Sequence, residues 1–168
     1  MPHSTDHNRR TLHLHLRDEA ATSQLGAAMA RAIQPGIRVY FMGPLGSGKT
    51  TTVRALLRAL GVRERVKSPS YALVELYTIS RLNLYHFDFF RFHDSSEWSD
   101  SGFREYFNAG AACLVEWPEM AAPYLPPSDL DVHLTIFNSG REATLTAHSE
   151  AGEKCLQEAL ELRSQDAC

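Results

Sequence analysis

The segment Gly43-Pro44-Leu45-Gly46-Ser47-Gly48-Lys49-Thr50 constrains this chain more than any other stretch. It fits the pattern G-x-x-x-x-G-K-[ST], and it lies between an apolar-rich run at residues 37–42 and a helical pattern at residues 50–60. Strand, glycine-rich turn and helix in that order form the context in which this pattern holds phosphate. Glycines allow backbone conformations that a Cβ would forbid, so consecutive N–H groups can converge on an anion. The helix that follows adds the free N–H groups of its first turn and the positive end of its dipole. The expected cradle is therefore Gly43, Leu45, Gly46, Ser47 and Gly48. Lys49 is expected to reach the β- and γ-phosphates, the Thr50 hydroxyl to ligate Mg²⁺, and Thr51 to stand near the α-phosphate.

The rest of the chain reads as elements arranged around that turn. Residues 11–16 alternate polar and apolar, the period of a half-buried strand, which leaves His13 and His15 on its solvated face. From Asp18 the spacing turns helical, with Leu25, Ala28, Met29 and Ile33 on one face, and Pro35-Gly36 as the stop. Ser68-Pro69-Ser70-Tyr71 reads as a loop, because Pro69 disfavours helix in its neighbours. Two strand-like runs follow at 72–79 and 82–89, joined at Ser80-Arg81. Residues 94–107 are polar and predict a helix. Cys113-Leu114-Val115 predicts a strand covered on both faces. Residues 130–137 and 142–148 alternate around Asn138-Ser139-Gly140, a hairpin signal, and residues 151–162 predict an amphipathic helix. The expected fold is α/β: a P-loop three-layer domain with a central, mostly parallel sheet and a C-terminal hairpin and helix. One domain is expected over 11–162, with a flexible tail at 1–10 and a short tail at 163–168.

Composition narrows the function classes. The 168 residues are 43% hydrophobic and 22% charged, as in an ordinary globular protein. A net charge of -3 argues against a broad basic surface for nucleic acid. Cys113, Cys155 and Cys168 are widely spaced and form no Cys-x-x-Cys pair, which suits a reducing compartment and argues against a disulfide framework. No run approaches the ~20 apolar residues of a membrane helix. A cytoplasmic chain, monomeric on its own, is expected.

A P-loop needs carboxylates at the ends of neighbouring strands, where ligands collect in open α/β sheets. Asp88 follows the run Leu84-Tyr85-His86-Phe87, and Glu116 follows Cys113-Leu114-Val115. Each is the first acid after an apolar strand. Both are candidates for Mg²⁺ and for orienting the attacking water, and with Lys49 they are the candidate catalytic residues. Trp117 offers either a flat apolar surface beside a nucleotide or a core filler. Ser68 or Ser70 is a candidate to sense a γ-phosphate, as loops in this position do in nucleotide switches, the alternative being a plain connecting turn.

Taken together, these segments resemble the TsaE (YjeE) family. The resemblance is carried by Gly43 to Thr51, Lys67-Ser68-Pro69-Ser70-Tyr71, His86-Phe87-Asp88-Phe89-Phe90-Arg91, Leu114-Val115-Glu116-Trp117-Pro118 and Gly140-Arg141-Glu142. They stand in the family's order and span roughly residues 11 to 162. Ser70 stands where the family has Thr, which keeps the hydroxyl. Phe90 stands where it has Tyr, which removes one, so Phe90 is given no role. The resemblance implies ATP and Mg²⁺ as cofactors, Lys49 on the phosphates, and Thr50 and Glu116 on Mg²⁺. It also implies Asp88 as an essential acid, Trp117 beside the nucleotide, and Glu19 and Arg141 bordering the base. It further implies a weak ATPase that serves threonylcarbamoyladenosine (t6A) formation in tRNA. Such an ATPase resets or regulates the proteins TsaB and TsaD and touches tRNA only through them.

Two other classes share the P-loop. A small kinase needs several arginines over the transferred phosphoryl group, and here no Arg-rich insertion follows the third strand. A GTPase-like switch would carry an Asn-Lys-x-Asp tetrapeptide, which the sequence lacks.

Overall fold

Side chains alternate across a strand, and in the central strands that parity sorts every core residue onto one of two faces. The computed structural model describes residues 10–165, so most of the expected N-terminal tail and residues 166–168 lie outside the described residues. Seven strands form one sheet: β1 (Thr11–Leu16), β2 (Arg38–Met42), β3 (Val74–Ile79), β4 (Leu82–Asp88), β5 (Ala111–Glu116), β6 (Leu130–Phe137) and β7 (Gly140–Ala147). Their order is β1-β7-β6-β2-β5-β4-β3. The four central strands β6, β2, β5 and β4 run parallel, while β7, β1 and β3 join the edges by antiparallel pairing. The expected α/β class and mostly parallel centre are found. β5 is buried along its whole length, as its unbroken apolar run requires.

On one face lie Val39 and Phe41 of β2, Ala112 and Leu114 of β5, and Leu84 of β4. They pack against α1 (Glu19–Ala30), α2 (Lys49–Ala59) and α4 (Glu150–Gln165) through Leu25, Met29, Val53, Leu56, Leu57 and Leu156. On the other face Tyr40, Phe87, Cys113 and Val115 meet an aromatic cluster of Phe89, Phe92, Trp98 and Phe107. Phe87 and Phe107 stack at 5.1 Å, and Phe89 and Phe92 at 4.8 Å. His86, Asp88 and Glu116 share the parity of Leu84 and Leu114. They therefore point to the α2 face, where the phosphate loop lies.

Three local readings change. The helix expected over 94–107 is a short α3 (Ser96–Ser101) and a separate 3-10 turn at Phe103–Tyr106. The break falls at Gly102, whose φ of 80° leaves the helical region. Breaking there lets Phe103, Tyr106 and Phe107 turn onto the aromatic face. α1 ends at Ala30. Arg31, Ala32 and Ile33 then bond three residues back in a tighter turn, and this keeps Ile33 against the core. α4 passes Leu162 and ends at Gln165, inside the segment read as a tail.

Gly26 sets how closely α1 approaches α2. A Cβ there would stand 2.3 Å from the Thr52 carbonyl oxygen and 2.9 Å from the Ala55 Cβ. Gly→Ala inside a helix is ordinarily worth about 1 kcal/mol in favour of Ala. Here the clash involves backbone, and overpacking of that kind costs about 1–3 kcal/mol. The second effect wins. Gly26→Ala is expected to lower stability by about 1–2 kcal/mol, a fall in Tm of roughly 2–8 °C for a chain of this size. Thermal melting followed by circular dichroism checks this, and a raised Tm would show that α1 and α2 are not in this contact.

Candidate functional site

The glycine-rich turn carries left-handed backbone at Gly46 (φ 77°) and Gly48 (φ 104°), positions open to a residue without Cβ. Gly48 is the N-cap of α2 and supplies no capping side chain. The first-turn N–H groups of Lys49, Thr50 and Thr51 therefore point out of the helix without intrahelical acceptors. They face a cavity of about 680 Å³. Gly43 and Ser47, expected in the cradle, do not line it. At Gly43 a Cβ would come within 2.1 Å of the Leu134 carbonyl oxygen, so this glycine permits the close exit of β2 past β6. Ser47 is fully buried, its hydroxyl without a hydrogen-bond partner among the described residues, and it shapes the loop from behind.

Lys49 is 5% exposed. Its ammonium donates to the Gly43 carbonyl and, at 3.0 Å, to the Pro44 carbonyl, and it lies 4.3 Å from the centre of the Trp117 ring. Burial lowers its pKa, while the carboxylates of Glu116, Glu119 and Asp88 oppose the fall. Trp117 takes a left-handed conformation (φ 59°) directly after β5, which turns its indole back over Lys49 and against Phe90 at 4.9 Å. It lines the cavity at the lysine end while, half-buried, it also packs against the aromatic cluster. The fully buried tryptophan is Trp98, in the aromatic cluster.

The two acids stand directly opposite each other, Asp88 on β4 and Glu116 on β5. The Thr50 hydroxyl donates to Glu116 Oε1 at 2.8 Å, and His86 Nε2 lies 2.6 Å from Oε2. The Ser68 hydroxyl touches Asp88 Oδ2 and stands 3.2 Å from Glu116 Oε2, while the Phe90 N–H donates to Asp88 Oδ1 at 2.9 Å. Burial alone pushes Glu116 up. The His86 contact, the Thr50 hydroxyl and the Lys49 charge together hold it below the ordinary carboxylate range, hence ionised. Among the described residues no cluster of three or more His, Cys, Asp or Glu forms a metal cage. The Thr50, Asp88 and Glu116 donors are hard oxygens, the chemistry of a Mg²⁺ site, which takes one or two carboxylates and leaves the remainder to phosphate and water. The residues present fit that ion.

Of the other candidates, Glu19, Leu45, Gly46, Thr51 and Arg141 all border the cavity. The Arg141 guanidinium is engaged with backbone, donating to the Gly46 carbonyl at 2.9 Å and the Gly140 carbonyl at 2.7 Å, so it fastens the hairpin to the loop. Sequence reasoning gave no role to Asp18, Thr22, Phe90, Arg91 or Ser139, which also line the cavity. Nor did it give one to His86, which is buried behind Glu116. His86 had a legible signal: it precedes Asp88 by two on one strand, so both point to the same face. The contribution of Asp18 and Thr22 was not legible, since it depends on where α1 begins relative to Gly48.

The model of the family described as "Threonylcarbamoyl adenosine biosynthesis protein TsaE" matches residues 16–143. A tRNA threonylcarbamoyladenosine biosynthesis protein TsaE of Haemophilus influenzae is 35% identical over 147 residues, covering 84% of this chain and 93% of that protein. Its namesake in Bacillus subtilis is 36% identical over 141 residues, covering 82% of this chain and 85% of the relative. The crystal structure of Bacillus subtilis YdiB superposes with a TM-score of 0.76 at 26% identity, covering 92% of this chain and 97% of the other. The matched span runs from the end of β1 into β7 and contains the phosphate loop, both carboxylates and Arg141, and on that ground the chain belongs to the TsaE family.

Proposed function

We propose that this protein binds and hydrolyses ATP with Mg²⁺ and serves t6A formation in tRNA by regulating or resetting a TsaB–TsaD complex. The observation that carries the nucleotide reading is the convergence of Lys49, the uncapped N-terminus of α2 and the Thr50–Glu116 pair on one cavity. Lys49 and the first-turn N–H groups would hold the β- and γ-phosphates. Thr50, Glu116 and Asp88 would hold Mg²⁺, which when bound neutralises charge on the transferring phosphoryl group. Asp88 is fixed by Ser68 and the Phe90 N–H and would orient the attacking water. Trp117 and Phe90 would keep bulk water from the lysine end.

The names of the relatives support the tRNA pathway, and the resemblance supports the partners. Among the described residues no helix is long and apolar enough to cross a membrane, in keeping with a cytoplasmic role. A net charge of -3 suits action on tRNA through another protein. The cavity rim suits a protein surface, since Tyr71 is 82% exposed with the Arg91 guanidinium 3.9 Å over its ring. Ser68 bonds the acids from that same loop, so a γ-phosphate bound beside them would be linked to the rim through it. A ~10-fold preference of the partners for one nucleotide state requires only about 1.4 kcal/mol of coupling.

Phosphate release measured with and without TsaB–TsaD tests this reading. Stimulation by the pair is expected, and Lys49→Ala is expected to abolish it by removing the fixed cation of the cradle. Wild-type turnover in Lys49→Ala would remove the phosphate-site assignment, and partner-independent release with equal retention of the partners in ATP-analogue and ADP states would remove the regulatory one. Glu116→Ala and Asp88→Ala are each expected to depress turnover by about 10²-fold or more, with only a small change in nucleotide affinity, because the loop contacts survive. Single-turnover hydrolysis alongside equilibrium binding separates the two quantities, and a variant with normal turnover takes its residue out of the site.

A further inference from the structure

His86 is fully buried on β4, and its Nδ1 has no hydrogen-bond partner among the described residues. A buried imidazole with one idle nitrogen is an expensive way to fill space between Leu84 and Leu114, where an apolar side chain would serve. Its other nitrogen explains its presence. Nε2 lies 2.6 Å from Glu116 Oε2, and an ionised carboxylate only accepts, so Nε2 is the donor.

The donors around Glu116 are not equivalent. Thr50 holds Oε1 and faces the cavity. Ser68 has one hydroxyl proton, is shared between Asp88 and Glu116, and makes its closer contact to Asp88. It also lines the cavity and belongs to an irregular loop. Among the described residues His86 alone donates a side-chain bond to Glu116 from within the sheet and away from the cavity. A carboxylate pinned at Oε2 from behind keeps Oε1 turned towards Thr50 and the cavity.

We infer that His86 is a positioning residue that fixes the plane of Glu116, so that the Thr50–Glu116 pair presents a preorganised oxygen site to a divalent cation. This rests on the nucleotide reading above. Partners that orient a metal ligand without touching the metal are worth about 10–100-fold in affinity when removed.

The test is calorimetric and needs no turnover. Mg²⁺ is titrated into the full chain saturated with the non-hydrolysable analogue AMP-PNP, and AMP-PNP is separately titrated in EDTA. In His86→Leu, Mg²⁺ affinity is expected to fall about 10–100-fold, with metal-free AMP-PNP affinity unchanged. His86→Gln places an amide N–H about where Nε2 stands and is expected to restore Mg²⁺ affinity. His86→Asn, whose N–H falls nearer Nδ1, is not. If His86→Leu does not fold, the Gln and Asn variants carry the comparison. Wild-type Mg²⁺ affinity in His86→Leu, equal affinity in the Gln and Asn variants, or parallel loss of metal-free binding would each overturn the inference. Failure of the wild type to bind AMP-PNP under either condition would overturn the nucleotide reading and this inference together, and the wild-type titration alone reveals it.

Discussion

Asp88 and Glu116 face each other across two neighbouring parallel strands, 4% and 2% exposed, and the arrangement of the site follows from keeping that pair tolerable. Two carboxylates so placed repel, and burial adds a penalty for each charge. The sequence around them meets both costs. Lys49 brings a buried cation, while Thr50, Ser68, His86 and the Phe90 N–H bring donors. Burial alone would favour the protonated form of Glu116, useless to a hard cation. With those partners, Glu116 is held below the ordinary carboxylate range at the cavity wall, where its burial leaves its charge weakly screened.

That arrangement is possible only because the strands alternate. The residues that put Leu84 and Leu114 against α2 also put His86, Asp88 and Glu116 on the α2 face, since parity does not change along a regular strand. The opposite face takes the aromatic residues, so the bulky cluster of Phe87, Phe89 and Phe107 stays clear of the polar site. α2 in turn is held by the close approach of α1 at Gly26, and its N-terminus lies where β2 ends, beside β5. The position of Thr50 against Glu116 is thus a consequence of helix packing some distance away.

Much of this was legible as residue types in order. The phosphate loop could be read because its glycines and the lysine obey a local backbone rule, and the two acids because each ends an apolar run. What could not be read depends on distance across the fold. Gly43 sits in the motif yet permits a close approach to the Leu134 carbonyl on β6, 91 residues on in sequence (134 − 43), and Ser47 is buried behind the loop. Arg141 stood near the site in both readings, but its bond to the Gly46 carbonyl comes from the hairpin's register with β1 and the loop. The helix expected over 94–107 failed because one glycine and three aromatic side chains outweighed the polar pattern, a case of tertiary packing overriding local propensity.

Trp117 shows how such a site tolerates local strain. A non-glycine residue in the left-handed region costs on the order of 1–2 kcal/mol. Glycine would remove that cost, and the chain has Trp there. The backbone is held by the Trp117 N–H on the Phe41 carbonyl at 3.3 Å and by the turn that starts at Pro118, so the conformation is imposed from both sides. What the conformation gains is direction. It sends the indole back over Lys49, where a desolvated cation–π contact is worth roughly 0.5–2 kcal/mol, and against Phe90. The gain and the strain are of similar size, so stability alone does not favour the tryptophan. The indole instead shields a buried lysine whose pKa burial already lowers, and its ammonium rests on the neutral carbonyls of Gly43 and Pro44, acceptors that a bound anion would outcompete.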